Sequence, residues 1–194
     1  MKLLTTALAL SAFLASSAAA DLMWDEQIDG DLSDDHLNPT EVFTKGVNNN
    51  VLFETTAGDD RDYFTFTIEE GYELSAIILN LFETEPEGNL GFISINAGST
   101  CTDPDAPDVT SLLGYALIGF GNVGNDIMQD MGQGGGAQGF SGPLGAGTYT
   151  IWAQETGPSS DLWSLNFVVN QIPAPGALAV LALGGLGMSR KRRH

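Results

Sequence analysis

Short runs of alternating apolar and polar residues fill the middle of the chain. The alternation is clearest from residue 62 to residue 68, where Phe64, Phe66 and Ile68 share one face. The other face of the same run carries Tyr63, Thr65 and Thr67. A period of two predicts a half-buried strand. The following Glu69-Glu70-Gly71 is typical of a turn.

Similar runs recur along the chain without any long stretch of helical periodicity. They predict strands at Val51–Phe53, Leu74–Phe82, Gly91–Asn96, Leu112–Phe120, Thr148–Gln154 and Leu162–Val169. Two faces are expected to be buried: Ile77, Leu79 and Leu81 in one strand, and Trp163, Leu165, Phe167 and Val169 in the last. This pattern predicts an all-β fold with two sheets packed face to face.

The remaining segments of this region have the composition of turns and loops. Asn48–Asn50 is predicted to be a turn before the first strand. The glycine-rich stretch 119–147 is predicted to be a long loop with positive-φ turns. Within that loop, Asn125–Met131 is expected to make one short helical turn.

The first twenty residues have the layout of a secretory signal. Lys2 precedes an apolar run from Leu3 to Leu14, and Ala18-Ala19-Ala20 then offers a small-residue cleavage site before Asp21. The alternative is a retained membrane anchor, but the run is shorter than the roughly 20 apolar residues that a span needs. Residues 1–20 are therefore predicted to be a cleaved signal peptide.

The last residues, 172–194, have three parts. Pro173-Ala174-Pro175 is followed by an apolar stretch over 177–188, predicted to be a transmembrane helix, and then by Arg190-Lys191-Arg192-Arg193. The basic cluster is expected to stay cytoplasmic. The alternatives are an unprocessed tail anchor and a buried helix with a solvated basic end.

This tail resembles the PEP-CTERM sorting signal of Gram-negative bacteria in its proline motif, apolar helix and terminal basic cluster. The predicted signal peptide would use the Sec machinery for export. The resemblance of the tail implies transient anchoring in the inner membrane and processing near the proline motif by an exosortase-like protease. It also implies a place in the cell envelope or extracellular matrix, with exopolysaccharide as a partner. Ala174 stands where the family name has Glu.

The segment between the two ends is strongly acidic. It holds all 25 acidic residues of the chain and only two basic ones, Lys45 and Arg61, so its formal charge is −23. Such a charge excludes nucleic-acid binding through phosphates. Divalent cations, high salt or a cationic partner would relieve the self-repulsion. Cys101 is the only cysteine and is expected to be a buried, inert thiol, the alternative being an exposed thiol that pairs between chains.

Residue types and spacing give little support to catalysis. His36 is the only histidine outside the tail, no His/Cys cluster for zinc is present, and the glycine tract lacks a phosphate-loop ending. Paired carboxylates leave a glycosidase open. We expect a protein that is not an enzyme.

Calcium is the ligand that the acidic residues favour. One group of aspartates lies within eleven residues around Gly30, and a second lies at the entrance to the strand that contains Phe64. Calcium prefers several carboxylate and carbonyl oxygens on a bending loop. The candidate ligands are Asp25, Asp29, Asp31, Asp34, Asp35, Asp59, Asp60 and Asp62. The alternative is a solvated acidic segment and an ordinary turn.

Two stretches resemble the bacterial pre-peptidase C-terminal domain. Asp60–Leu74 has its opening pattern of an aspartate, an aromatic strand, a glycine turn and an apolar strand, and Leu144–Trp152 resembles its closing hairpin. The resemblance implies a jelly-roll-like β-sandwich without catalytic function. The predicted organisation is thus an acidic N-terminal segment at 21–50, a sandwich at 51–171 and the sorting tail.

Two other functions stay open at this point. A secreted calcium-dependent glycan-binding module would show solvent-exposed aromatic side chains beside carboxylates, and Trp24, Trp152 and Trp163 are candidates unless they belong to the core. A small extracellular hydrolase would show a carboxylate pair with raised pKa in a cleft.

Overall fold

The computed structural model describes residues 20–58 and 60–173. The strands are β1 (Asp21–Asp25), β2 (Thr40–Glu41), β3 (Asn48–Thr56), β4 (Asp62–Ile68), β5 (Tyr72–Glu85), β6 (Gly91–Ala97), β7 (Gly114–Ile118), β8 (Gly147–Glu155) and β9 (Ser160–Gln171). The α-helices of this part are two single turns, α1 (Glu26–Asp29) and α2 (Met128–Met131), and two 3-10 turns span Val109–Ser111 and Phe120–Asn122. The all-β prediction is confirmed for this part of the chain.

The strands form two sheets, with orders β1-β3-β9-β5 and β2-β4-β8-β6-β7. Neighbouring strands are antiparallel, except that β1 and β3 are parallel and so are β2 and β4. One continuous apolar core contains side chains from both sheets, which confirms a sandwich. Residues 21–50 supply β1 and β2, so both sheets extend beyond the range 51–171.

The predicted inner faces of β4 and β9 fill the core as expected. Trp163 is the largest of the fully buried side chains, stacked on Phe53 with ring centroids 5.5 Å apart and edge-on to Phe82 at 4.9 Å. Its Nε1 donates to Oγ1 of Thr55 at 3.1 Å. Since Trp163 is fully buried and its polar atom has a partner, it packs without leaving an unpaired donor. Its place in the core removes it from any exposed aromatic platform.

The face predicted for β5 is right at Ile77 and Leu79 and wrong at Leu81. The register shifts between Leu74 and Ala76 and again between Leu79 and Leu81. Each irregularity inserts a residue, so side chains beyond it change faces. Phe82 therefore enters the core in place of Leu81, which is half-buried.

The predicted turn at Asn48–Asn50 is wrong, because these residues begin β3. Asn49 is fully buried, and its side chain makes hydrogen bonds with backbone groups of neighbouring segments. Its Oδ1 accepts from the backbone N–H groups of Lys45 and Gly46, and its Nδ2 donates to the carbonyl groups of Gly46 and Phe167. These bonds tie the incoming loop to β3 and β9.

The glycine-rich segment is a long loop that contains α2, as predicted. It covers the free edge of β5, where Leu74 and Leu144 exchange backbone hydrogen bonds of 2.8 and 2.9 Å. Gly124 has a positive φ of 84° and donates to the carbonyl of Leu79, a conformation that favours glycine. The loop also buries Ile127, which extends the core beyond the strands.

A second, smaller apolar cluster covers the outer face of the five-stranded sheet. It contains Tyr63, Cys101, Leu112 and Trp152. Cys101 is buried, which confirms the buried cysteine over the exposed one, and burial raises the pKa of its thiol to about 11. We therefore expect this thiol to be unreactive in the folded protein.

Several predicted features lie outside the described residues. They are residues 1–19 of the signal peptide, Asp59, and the tail from Ala174 onward, including Pro175 and Arg190–Arg193. Within residues 20–58 and 60–173, no helix has both the length and the apolar character needed to cross a membrane.

Candidate metal site

Three carboxylates meet at one end of the sandwich. Glu26 lies in α1, Asp31 follows that helix, and Asp62 is the first residue of β4. One oxygen atom from each side chain lies within 4.8 Å of the others. Gly30, with a φ of 95°, reverses the chain after α1, so that Asp31 returns towards Glu26.

Asp62 is the least solvated member of this group. Its exposed fraction is 0%, and neither Oδ1 nor Oδ2 has a hydrogen-bond partner among the described residues. Burial, followed by the nearby Glu26 and Asp60 carboxylates, raises the pKa of Asp62 to about 9. Asp62 lies on the same face of β4 as Phe64 and Phe66, so its carboxylate points into the interior of the sandwich like those two core side chains.

Glu26 is held in place by two backbone groups. Its Oε1 accepts from the N–H of Leu32 at 3.1 Å, and its Oε2 accepts from the N–H of Glu54 at 2.7 Å. Burial raises the pKa of Glu26 to about 7, against the lowering effect of these two hydrogen bonds. The side chain is therefore oriented towards Asp62 before any ligand arrives.

Two further aspartates flank the group. Oδ2 of Asp60 accepts from the N–H of Thr56 at 2.6 Å, and burial raises the pKa of Asp60. Oδ1 of Asp34 accepts from the N–H of Arg61 at 3.2 Å. Both side chains add negative charge, since each raises the pKa of Asp62.

No side-chain cation neutralises this charge in the described part of the chain. Nη2 of Arg61 pairs with Oδ1 of Asp105 at 3.0 Å. Nζ of Lys45 donates to the carbonyl of Leu22 at 2.7 Å. A buried charge without a partner costs several kcal/mol. The site therefore needs either protons or a bound cation.

The donor set selects among cations. It offers only oxygen atoms, which suit calcium or magnesium better than zinc, the latter favouring nitrogen and sulfur. The ligands come from a bent loop and a strand end, and calcium tolerates such irregular geometry better than magnesium does. The residues present therefore fit calcium.

The structure divides the predicted calcium ligands into two sets. Asp31 and Asp62 lie in the group, and Asp34 and Asp60 lie beside it. Asp59 is outside the described residues, and the remaining three aspartates make local hydrogen bonds. Asp25 caps α1 by accepting from the N–H of Gln27, and Asp29 accepts from the N–H of Asp25. Asp35 accepts from the N–H of Leu37 and from Nδ2 of Asn38. The Asn38 hydrogen bond is the first cause of the lowered pKa of Asp35.

Glu26 was missed by the sequence analysis, which considered only aspartates. The separation of Glu26 from its bonding partner Glu54 is 28 residues, so no local spacing reveals it. Its place in the acidic run, five residues before Asp31, was the available signal.

The aromatic candidates for a glycan platform are not exposed together. Trp152 and Trp163 are buried, and the half-buried Trp24 donates from Nε1 to the carbonyl of Gly30 at 3.0 Å. His36 packs its ring against Tyr63, with centroids 6.2 Å apart.

Comparison of this chain with family models, with curated proteins and with solved structures gave no significant match in any of the three. The function is therefore argued from the residues of the site and from the sequence.

Proposed function

We propose that this chain is an exported, non-enzymatic protein of the cell surface or extracellular matrix, whose β-sandwich is stabilised by calcium. The observation that carries the calcium part is the fully buried Asp62 carboxylate, which has no hydrogen-bond partner among the described residues and lies within 4.8 Å of carboxylate oxygens of Glu26 and Asp31. Secreted proteins meet calcium at millimolar levels outside the cell, where weak sites of this ligand type fill.

Export is supported by the sequence of the two ends. The last strand ends at Gln171, and Pro173 follows two residues later. Cleavage near the proline motif would leave every described strand in place. We therefore propose that the tail is a PEP-CTERM-like sorting signal with a membrane-spanning apolar helix, and that the sandwich is jelly-roll-like.

The export proposal is tested by the intact mass of the protein from membrane and culture fractions of its native host. We expect a mass that lacks residues 1–20 and the residues after about Pro173. A membrane-bound form that retains Arg190–His194 would show an anchored protein and overturn the sorting proposal.

The calcium proposal is tested by thermal unfolding of the full chain in detergent, with calcium or with a chelator. Calcium at a hundredfold excess over its dissociation constant should add about 2.7 kcal/mol of stability. The exposed Asp130 provides a control, because Asp130→Asn should keep the calcium response while Asp62→Asn removes it. An identical response in both variants would place the ion elsewhere.

The raised pKa values of Glu26 and Asp62 do not favour a hydrolase. A glycosidase needs two carboxyl groups that reach opposite sides of a glycosidic bond. Asp62 is fully buried, and both oxygens of Glu26 already accept backbone hydrogen bonds. This arrangement supports a metal-binding role of the pair better than a hydrolytic one.

A second candidate function, glycan binding, is favoured by one groove of about 700 Å³. Phe120 lies at this groove with 80% of its surface exposed, beside four glutamates: Glu54, Glu83, Glu85 and Glu87. An aromatic face can stack on a sugar ring while carboxylates accept from its hydroxyl groups. Phe120 was not among the aromatic candidates of the sequence analysis.

Affinity electrophoresis in gels that contain neutral or acidic polysaccharides tests this second function. Phe120→Ala should abolish any retardation of the protein. Phe43 is the matched control, because it is 64% exposed and lies outside the groove. No retardation of the unmodified protein by any polysaccharide, or equal retardation of both variants, would contradict a glycan site at Phe120.

A further inference from the structure

Two more carboxylates lie at the end of the sandwich, on the strand faces that carry the core side chains. On β8, Ile151 and Ala153 face the core, and Glu155 is the next residue of the same parity. On β9, Leu165 and Trp163 face the core, and Asp161 is next. Apolar side chains would be expected at such positions, so the acids need a reason.

Asp161 is fully buried and only half satisfied. Its exposed fraction is 0%, and Oδ1 accepts from Oγ of Ser159 at 2.9 Å. That hydroxyl in turn accepts from Nδ2 of Asn89. The other oxygen, Oδ2, is buried without a partner among the described residues. Asp161 is thus oriented by a hydrogen-bond chain that leaves one oxygen free for a ligand.

Glu155 presents a second buried oxygen of the same kind. Its Oε2 has no hydrogen-bond partner among the described residues. Burial is the first cause of the raised pKa of Glu155. Backbone hydrogen bonds at Glu155 and Gly58 oppose this rise, and the carboxylates of Asp161 and Asp60 add to it. The negative charges of Glu155 and Asp161 therefore repel each other, and no side-chain cation of the described residues neutralises them.

The backbone brings Asp60 to the same place. Thr55 of β3 is paired with Asp161, and Thr56 is paired with Ser160. The N–H of Thr56 donates to Oδ2 of Asp60, and the N–H of Ala57 donates to the carbonyl of Ser159 at 2.8 Å. The charge of Asp60 raises the pKa of Glu155 and also that of Asp62, so Asp60 is near both groups of carboxylates.

We propose that Glu155 and Asp161, with Asp60 near both sites, bind a second calcium ion next to the one at Glu26, Asp31 and Asp62. The proposal rests on the proposed function, because it assumes that calcium reaches this end of the sandwich. Oxygen-only donors again suit a hard cation. The second ion would neutralise Glu155 and Asp161, each of which has one buried oxygen without a hydrogen-bond partner among the described residues.

Isothermal titration of the full chain with calcium measures the number of ions bound. We expect two ions per chain for the unmodified protein and one for Glu155→Gln combined with Asp161→Asn. Glu155→Gln alone, at a half-buried position, should weaken the second ion at least tenfold and provides a test if the double variant fails to fold. Asp130→Asn should retain both ions.

The outcomes separate this inference from the function on which it rests. One ion, lost in Asp62→Asn and kept in Glu155→Gln, would overturn the second site and leave the first intact. Two ions that both survive the Glu155 and Asp161 changes would also overturn it. No bound ion would overturn both.

Discussion

Replacing Asp62 by Asn keeps the shape of a buried side chain and removes its charge. In the calcium-free protein, the pKa of Asp62 is about 9 when folded against 3.8 for the free side chain. The folded state therefore binds a proton that the unfolded state releases above about pH 4. Stability should consequently fall as the pH rises from 4 towards 9, and Glu26 should add to the fall up to about pH 7.

The size of the effect follows from this difference. Each pKa unit corresponds to about 1.4 kcal/mol, so Asp62 alone can account for about 4 kcal/mol between pH 4 and pH 7. Several carboxyl groups share this site, and one bound proton reduces the repulsion among all of them. We therefore expect a loss of about 2–4 kcal/mol in unfolding free energy between pH 4 and pH 7. Asp62→Asn should stabilise the calcium-free protein by this amount at pH 7 and by almost nothing at pH 4.

Urea unfolding at pH 4, 5.5, 7 and 8 measures these differences, each in chelator and in calcium. At pH 7, calcium at a hundredfold excess over its dissociation constant should reduce the difference in unfolding free energy between Asp62→Asn and the unmodified protein by about 2.7 kcal/mol, because only the unmodified protein binds calcium at this site. Asp130→Asn should follow the unmodified protein throughout. A loss of stability in Asp62→Asn in chelator at pH 7, or no pH dependence of its effect, would refute this reasoning.

Other parts of the molecule give further predictions. Trp163→Ala should cost about 3–5 kcal/mol of unfolding free energy in urea, since it removes the largest fully buried side chain. Leu162→Ala, on the other face of the same strand, should cost clearly less, and equal costs would contradict the packing. The thiol of Cys101 should react with a disulfide reagent only in denaturant, and fast reaction in the native protein would show it exposed. Neutral residues in place of Arg190–Arg193 should block sorting, which fractionation of host cells would show; unchanged localisation would contradict the sorting signal.

The strands that alternate regularly were predictable from sequence. The bounds of β4 match the prediction, and the face of β9 from Trp163 to Val169 is the buried one. In both strands a period of two is uninterrupted, so local pattern and tertiary burial agree. The all-β class followed from several such runs.

The failures of sequence prediction have structural causes. Two irregularities in β5 exchange Leu81 for Phe82, and a pattern of fixed period cannot anticipate an inserted residue. Asn48–Asn50 reads as a turn, but long-range amide bonds of Asn49 place it in a strand. The candidate site depends on the same kind of long-range contact, since Glu26 is positioned by Glu54 and meets Asp62 across the end of the sandwich.

The most direct test of the calcium site is an anomalous difference map from crystals of the protein grown with calcium. The account predicts a peak at about 2.3–2.6 Å from carboxylate oxygens of Glu26, Asp31 and Asp62. A map without a peak there, in crystals that hold millimolar calcium, would contradict the site and leave Asp62 as a buried, protonated acid.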